Sequence, residues 1–295
     1  MMPHQLNWQE ICQMIPKRKA DAQKGDFGRL LCITGSRNMP GACLLSTQAA
    51  LRGGAGLVTV ATAPENPMRL AAAAPEAMWL PLETDEAGFL RSSDQNRKTL
   101  EKQLSRANAM LLGCGLGVTE ETRRLVHWVL EQAVCPVVLD ADGLNCAVSC
   151  IELSRRTGKD WILTPHPGEM ARLTGHSIPQ IQENRVETAT QFAAAYPVTL
   201  ALKGAGTLVA QGSRLAQNPT GNPGMSRGGS GDVLAGLIAA FAAQGIPSWE
   251  AACAGVYLHG LAGDAAAAAL SQQAMLPRDL LVYLPQVLVK LEQER

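Results

Sequence analysis

Short runs of β-branched and leucine-rich residues alternate along the chain with longer stretches whose apolar positions recur at helical spacing. LLCIT (30–34), GLVTVA (56–61), AMLLG (109–113), PVVLD (136–140), WILT (161–164) and VTLALK (198–203) are nearly continuous apolar runs, the pattern of strands covered on both faces. ACLLSTQAALR (42–52), ETRRLVHWVLEQA (121–133), NRVETATQFAAA (184–195) and DVLAGLIAAFAA (232–243) show the helical interval instead. Strands alternating with helices predict a mostly parallel central sheet between two helical layers. KGAGTLVAQGSRLAQNPTG (203–221) holds two short strand-like pieces about Gln211-Gly212, which predicts a β-hairpin extension of that sheet. From Asp232 onward the pattern is helical almost throughout. No internal repeat and no linker interrupts it, so residues 1–295 are read as a single domain.

Composition narrows the functional classes. Lys+Arg and Asp+Glu both number 26, so neither nucleic acid nor an acidic membrane surface is expected as the main partner. The eight cysteines form no CxxC pair, and several lie inside the strand-like runs, as buried thiols do in a reducing compartment. No apolar leader opens the sequence and no run is long enough to span a bilayer. A cytoplasmic location without membrane attachment is the expectation.

In parallel sheets ligands bind beyond the carboxyl ends of the strands. The residues there are polar and glycine-rich: GSRNMPGA after LLCIT, GCGLG after AMLL, ADGLN after PVVLD, PHPGE after WILT, GAGT after VTLALK. GNPGMSRGGSGDVLAG (221–236) collects glycines just before Asp232 and an apolar helix. Gly228, Gly229 and Gly231 let successive N–H groups line one concavity, and the helix beginning near Asp232 adds its positive end: an anion hole beside a carboxylate that can accept a proton. The alternative is a flexible loop with Asp232 as an N-cap. Gly113-Cys114-Gly115-Leu116-Gly117 is GxGxG rather than GxGxxG, and no GxxxxGK[ST] occurs, so neither common nucleotide fingerprint applies. Asp140 and Asp142 fit metal ligation or a helix cap, the cap being favoured. His259 reads as a packing residue, and Lys203 as a ligand contact or a solvated charge.

Together KGDFGRLLCITGS (24–36), PGACLLSTQAALRGGAGLVTVA (40–61), LLGCGLG (111–117), VVLDADGLN (137–145), ILTPHPGEMARLTG (162–175), LALKGAGTLVA (200–210), GNPGMSRGGSGDVLAG and VYLHGLAGD (256–264) resemble the ADP-dependent NAD(P)H-hydrate dehydratases of the ribokinase-like superfamily. The resemblance implies a ribokinase-like three-layer α/β/α fold, without the epimerase domain that some relatives carry. It implies ADP as phosphoryl donor, Mg²⁺ as cofactor, hydrated NADH or NADPH as substrate, and a homo-oligomer, a tetramer. Lys203, Gly204, Ala205, Gly206 and Thr207 would contact the adenine nucleotide, with Gly231 beside its phosphates. Asp232 would be the catalytic base. Ala42, Gly117, His166 and Asp232 would line the substrate, Gly115 standing as an alternative to Gly117. Glu169 of His166-Pro167-Gly168-Glu169 falls where related kinases organise metal, implying an outer-shell role; Asn184-Arg185-Val186-Glu187 matches the same N-x-x-E pattern by accident. Departures from the family pattern are Gln23 for histidine, Cys114 for proline and Ser230 for threonine. Two alternatives share GSGD: a ribokinase-like kinase of a hydroxymethyl or hydroxyethyl heterocycle, and a non-catalytic nucleotide sensor.

Overall fold

The computed structural model describes residues 2–157 and 160–294. Among them ten strands form one sheet: β1 (His4–Gln5), β2 (Arg29–Ile33), β3 (Leu57–Thr62), β4 (Met78–Pro81), β5 (Ala109–Leu112), β6 (Val137–Leu139), β7 (Trp161–Leu163), β8 (Val198–Leu202), β9 (Leu208–Gln211) and β10 (Arg214–Gln217). Their order is β1-β10-β9-β8-β7-β6-β5-β2-β3-β4. Strands β2 to β8 are mutually parallel, while β9 runs antiparallel to both β8 and β10. The hairpin extension is therefore present, turning at Gly212-Ser213.

Side chains on a strand alternate between faces, and each face here meets its own core. Leu30 and Cys32 of β2, with Ala109 and Leu111 of β5, pack with Leu237, Ala240 and Phe241 of helix Ser230–Ala243 and with Ala251 to Leu258 of helix Ser248–Leu270. Leu31 and Ile33, with Met110 and Leu112, face Leu125, Val126 and Val129 of helix Glu120–Gln132 and Phe192 of helix Arg185–Ala195. Burial on both faces explains why these strands carry no polar alternation.

The pattern reading missed β4 and helix Asp94–Leu104. The first is a half-exposed edge strand ending in Pro81; the second, DQNRKTLEKQL, buries only Asn96, Leu100 and Leu104. An element that turns most of its surface to water leaves little hydrophobic signature. No helix among the described residues is long and apolar enough to cross a membrane.

The strand order reverses between β5 and β2: β2, β3 and β4 step one way and β5 to β8 the other. That switch point is where such sheets open a crevice for ligands. The loops leaving the two strands are stitched together there, Gly35 N–H donating to Cys114 O (2.8 Å) and Ser36 N–H to Gly115 O (2.7 Å).

Candidate active site

Helix Ser230–Ala243 carries its apolar residues all round, as a helix enclosed on every side must. Of its fourteen residues only Gly231 and Asp232 are not buried. It starts two residues before the sequence pattern indicates. Gly229, at φ 107°, precedes it, and no side chain caps it. The first turn thus keeps its positive end open toward the switch point, with Asp232 in that turn, so Asp232 is not an N-cap.

The ends of four adjacent strands converge on this turn. Beyond β6, Asp140 is 1% exposed. Its Oδ1 accepts from Lys203 Nζ (2.6 Å) and from Thr164 Oγ1 (2.8 Å), the groups that follow β8 and β7. Cys114, beyond β5, lies 3.8 Å from Asp140 Oδ2, and donor atoms of Cys114, Asp140 and Asp232 all fall within 4.8 Å of one another. Lys203 Nζ also stands 3.9 Å from Glu169 Oε2. A Cβ on Gly231 would sit 3.2 Å from that ammonium, so the lysine faces the open helix end.

Lys203 is thus a largely buried ion-pair partner, its side chain 18% exposed, and not a solvated charge. The cap reading of Asp140 and Asp142 is overturned as well: helix Asp142–Ala147 is preceded by Ala141 at φ 50° and no side chain caps it. The twisted Ala141 sends the two carboxylates apart, and Asp142 Oδ2 accepts the N–H of Gly117 (2.8 Å).

Electrostatics follow from this crowding. Burial, then the neighbouring Asp140 carboxylate, push Asp232 up to about 6, against the pull of the Cys114 hydrogen bond and Lys203. Glu169 rises to about 7, mainly through burial. Lys203 is held above its ordinary value: burial opposes its charge, but Asp140 and Glu169 outweigh that cost. Burial and two carboxylates lift the Cys114 thiol, which stays protonated.

His166 N-caps helix Pro167–Thr174: its Nδ1 accepts from Gly168 N–H (2.9 Å) and Glu169 N–H (3.3 Å). The proton therefore sits on Nε2, 3.3 Å from Glu169 Oε1, and burial with nearby Lys203 lowers the ring's proton affinity. Glu169 Oε2 accepts the N–H of His166 (2.8 Å) and stands 3.9 Å from Lys203 Nζ. Ala42, in the first turn of helix Pro40–Arg52, adjoins Gly115, where a Cβ would lie 2.9 Å from Ala42 Cβ, and a Cβ on Gly117 would run into the Phe89 ring. Gly204 to Thr207 form a turn closed by Thr207 Oγ1 donating to Gly204 O (3.1 Å).

Asp232, Gly231 and Lys203 therefore gather about Asp140, and Glu169 approaches the group through Lys203, with His166 beside Glu169 and the Gly204–Thr207 turn leading away. Ala42 and Gly117 flank the Cys114 loop. His259 has more than a packing role: buried and neutral, with its pKa lowered to about 4, its Nε2–H donates to Ser230 O (3.0 Å). Asp264 accepts from Gly221 N–H and Asn222 Nδ2, both at 2.9 Å. VYLHGLAGD thus anchors both ends of the glycine-rich stretch. The spacing of Asp264 from Gly221 gave no signal of this, because the contact forms across the fold.

Residues 30–286 match a family model described as NAD(P)H-hydrate dehydratase. The chain belongs to the NAD(P)H-hydrate dehydratase family. Over 252 residues it is 38% identical to an ADP-dependent (S)-NAD(P)H-hydrate dehydratase of Neisseria meningitidis, covering 84% of this chain and 80% of that protein. Over 281 residues it is 43% identical to a bifunctional NAD(P)H-hydrate repair enzyme of Moorella thermoacetica, covering 95% of this chain and 53% of the relative. The chain spans about half the length of the bifunctional relatives it matches. An ADP/ATP-dependent NAD(P)H-hydrate dehydratase of Bacillus subtilis, crystallised with ATP and Mg²⁺, superposes with a TM-score of 0.84 at 30% identity, covering 99% of this chain and all of that one. A ribokinase-like superfamily protein of Enterococcus faecalis superposes at 0.83 and 30% identity, covering 98% and 96%. The ribokinase-like α/β/α fold implied by the dehydratase motifs is the fold observed.

Proposed function

We propose that this member of the dehydratase family is a lyase that restores hydrated NADH and NADPH to the reduced dinucleotides, using ADP as phosphoryl donor. The observation that carries the reading is the single carboxylate, Asp232, in the uncapped first turn of a buried helix, with Lys203 facing that turn across Gly231. One sheet and its two helical layers support treating the chain as one dehydratase domain.

Hydroxide leaves the hydrated ring poorly. Asp232 accepts the hydroxyl proton as the oxygen forms a bond to the terminal phosphorus of ADP and AMP leaves. The nitrogen lone pair then expels phosphate from the ring carbon, and loss of a proton from the neighbouring carbon completes the dihydronicotinamide. The open N–H groups of the helix turn and Lys203 hold the charge that develops on the phosphoryl oxygens, each such donor contributing roughly 3 to 4 kcal/mol. Asp140, fastened to Lys203, keeps the ammonium in place.

A hard cation takes oxygen ligands, so of the clustered atoms the carboxylates of Asp140 and Asp232 fit Mg²⁺ and the protonated Cys114 thiol does not. Glu169, with one oxygen capping His166 and the other turned to its ring, fits an outer-shell place. When bound, Mg²⁺ supplies charge neutralisation at the transferring phosphate. The alanine-rich helix Ser248–Leu270 supports the tetramer expectation only as a source of small packing residues.

Two outcomes test the site. Asp232 must be ionised to act, and its value near 6 places the acid limb there: kcat/KM falls about tenfold per pH unit below roughly pH 6. A profile flat to about pH 5 contradicts the assignment. Gly206 stands at φ +61°, and a Cβ there would meet Gln217 Nε2 at 2.5 Å. Gly206→Val strains the turn, and the KM for ADP rises about tenfold or more while that for the hydrated dinucleotide changes little. An unchanged ADP KM in the folded variant removes the Lys203–Thr207 segment from the nucleotide site.

A further inference from the structure

The Asn184–Glu187 segment, an accidental match to N-x-x-E by sequence, places one side chain directly under the turn read as the nucleotide loop. Helix Ile178–Glu183 ends at Asn184 (φ −124°, ψ 41°), and the bend there starts helix Arg185–Ala195. Arg185, at that corner, donates from Nη1 to Lys203 O and from Nη2 to Leu202 O, both at 3.0 Å. The other side of Lys203 is fixed as well, its N–H donating to Pro165 O (2.9 Å).

Two consequences follow. The C=O and N–H of a trans peptide point in opposite directions, so holding Lys203 O toward Arg185 turns the Gly204 N–H to the opposite side, away from the guanidinium. Gly204 sits at φ +142°, and a Cβ there would lie 2.3 Å from Nη1, so the contact requires glycine. The guanidinium, moreover, has no carboxylate partner among the described residues, and Glu183 and Glu187, which line the same groove of about 610 Å³, form no ion pair with it. Burial lowers its pKa with no acid to offset the cost. Two backbone carbonyls are all that compensates a partly buried cation, which suits a site that receives an anion.

We propose that Arg185 is a positioning residue of the nucleotide loop: it aims the Gly204 N–H and keeps an unpaired positive charge beneath Lys203–Thr207 for a nucleoside diphosphate. The inference rests on reading that loop as the ADP site, and the experiment separates the two. ADP is titrated calorimetrically into wild type, Arg185→Met, Arg185→Lys and Gly206→Val, with melting followed by circular dichroism and both KM values measured.

Arg185→Met raises the ADP Kd at least about tenfold, leaves the hydrated-dinucleotide KM within about twofold, and flattens the dependence of ADP affinity on salt. Arg185→Lys, which keeps the charge but cannot reach both carbonyls in one plane, falls between Met and wild type. ADP binding within about twofold of wild type in Arg185→Met overturns the inference, as does an equal rise in both KM values. If Arg185→Met does not melt cooperatively, Arg185→Lys decides: a Kd raised about threefold or more with the salt dependence kept supports the inference, and a smaller change overturns it. If Gly206→Val weakens ADP and Arg185→Met does not, only the role of Arg185 falls; if neither weakens it, the loop assignment falls too.

Discussion

Asp232→Asn will bind ADP about as tightly as the parent protein and lose at least ~10²-fold in kcat, the span a positioned general base contributes. The amide keeps the shape of the carboxylate in the open helix turn and cannot take the proton. Stability moves the other way. Because burial and Asp140 raise Asp232 to about 6 from its ordinary 3.8, the folded protein holds this proton more firmly than the unfolded chain. That contribution is fully present below about pH 4 and is lost as pH rises through about 6, leaving a strained carboxylate at neutral pH. Asp232→Asn should therefore be more stable than wild type by on the order of 2 kcal/mol at pH 7, the gain fading toward pH 4. A variant that keeps more than about a tenth of kcat contradicts the base assignment, and a variant less stable at pH 7 contradicts the electrostatic account.

Lys203→Met carries the largest stability effect. Removing the ammonium leaves Asp140, 1% exposed, facing Asp232 and Glu169 with only Thr164 and the Cys114 thiol as side-chain donors among the described residues. Breaking one side of a buried pair typically costs about 3 to 5 kcal/mol, a large part of the 5 to 15 kcal/mol that holds a domain together. Thermal and denaturant melts should show that loss, and turnover should fall below detection. Replacing the partner as well, in Asp140→Asn/Lys203→Met, should recover part of the stability and none of the activity. Equal stability in the single and double variants would show that the pair is not coupled as the 2.6 Å contact requires.

The parts of this fold that were legible in sequence are those whose residues answer to one environment. LLCI of β2 and AMLL of β5 are apolar because both faces of the sheet are covered, and helix Ser230–Ala243 is apolar all round because it is enclosed. Asp232 stood out because a glycine-rich stretch runs into it at the start of an apolar helix. The roles of Asp140, Arg185 and His259 did not, since each acts through a partner distant in sequence: Lys203 is 63 positions from Asp140, Lys203 is 18 from Arg185, and Ser230 is 29 from His259. A lone acidic, basic or imidazole side chain at a strand end or on a helix has several ordinary uses, and only the assembled sheet selects one. The strained Ala141 is equally silent in sequence, although it decides that Asp140 faces Lys203 while Asp142 faces Gly117.

Dehydration is separated from simple phosphorylation by following the absorbance of the reduced nicotinamide while hydrated NADH is incubated with the protein and Mg²⁺, with ADP, with ATP or with no nucleotide, and by assaying a small heterocyclic alcohol beside it. A pocket built to orient a whole dinucleotide draws binding energy from groups remote from the reacting hydroxyl. The absorbance should return only when ADP or another phosphoryl donor is present, with stoichiometric release of phosphate. Its kcat/KM should exceed that for phosphorylation of the alcohol by at least ~10²-fold, about 2.7 kcal/mol in transition-state binding. Rapid phosphorylation of the alcohol with no recovery of reduced cofactor would contradict the dehydratase reading and assign the same Asp232 chemistry to a small-molecule kinase.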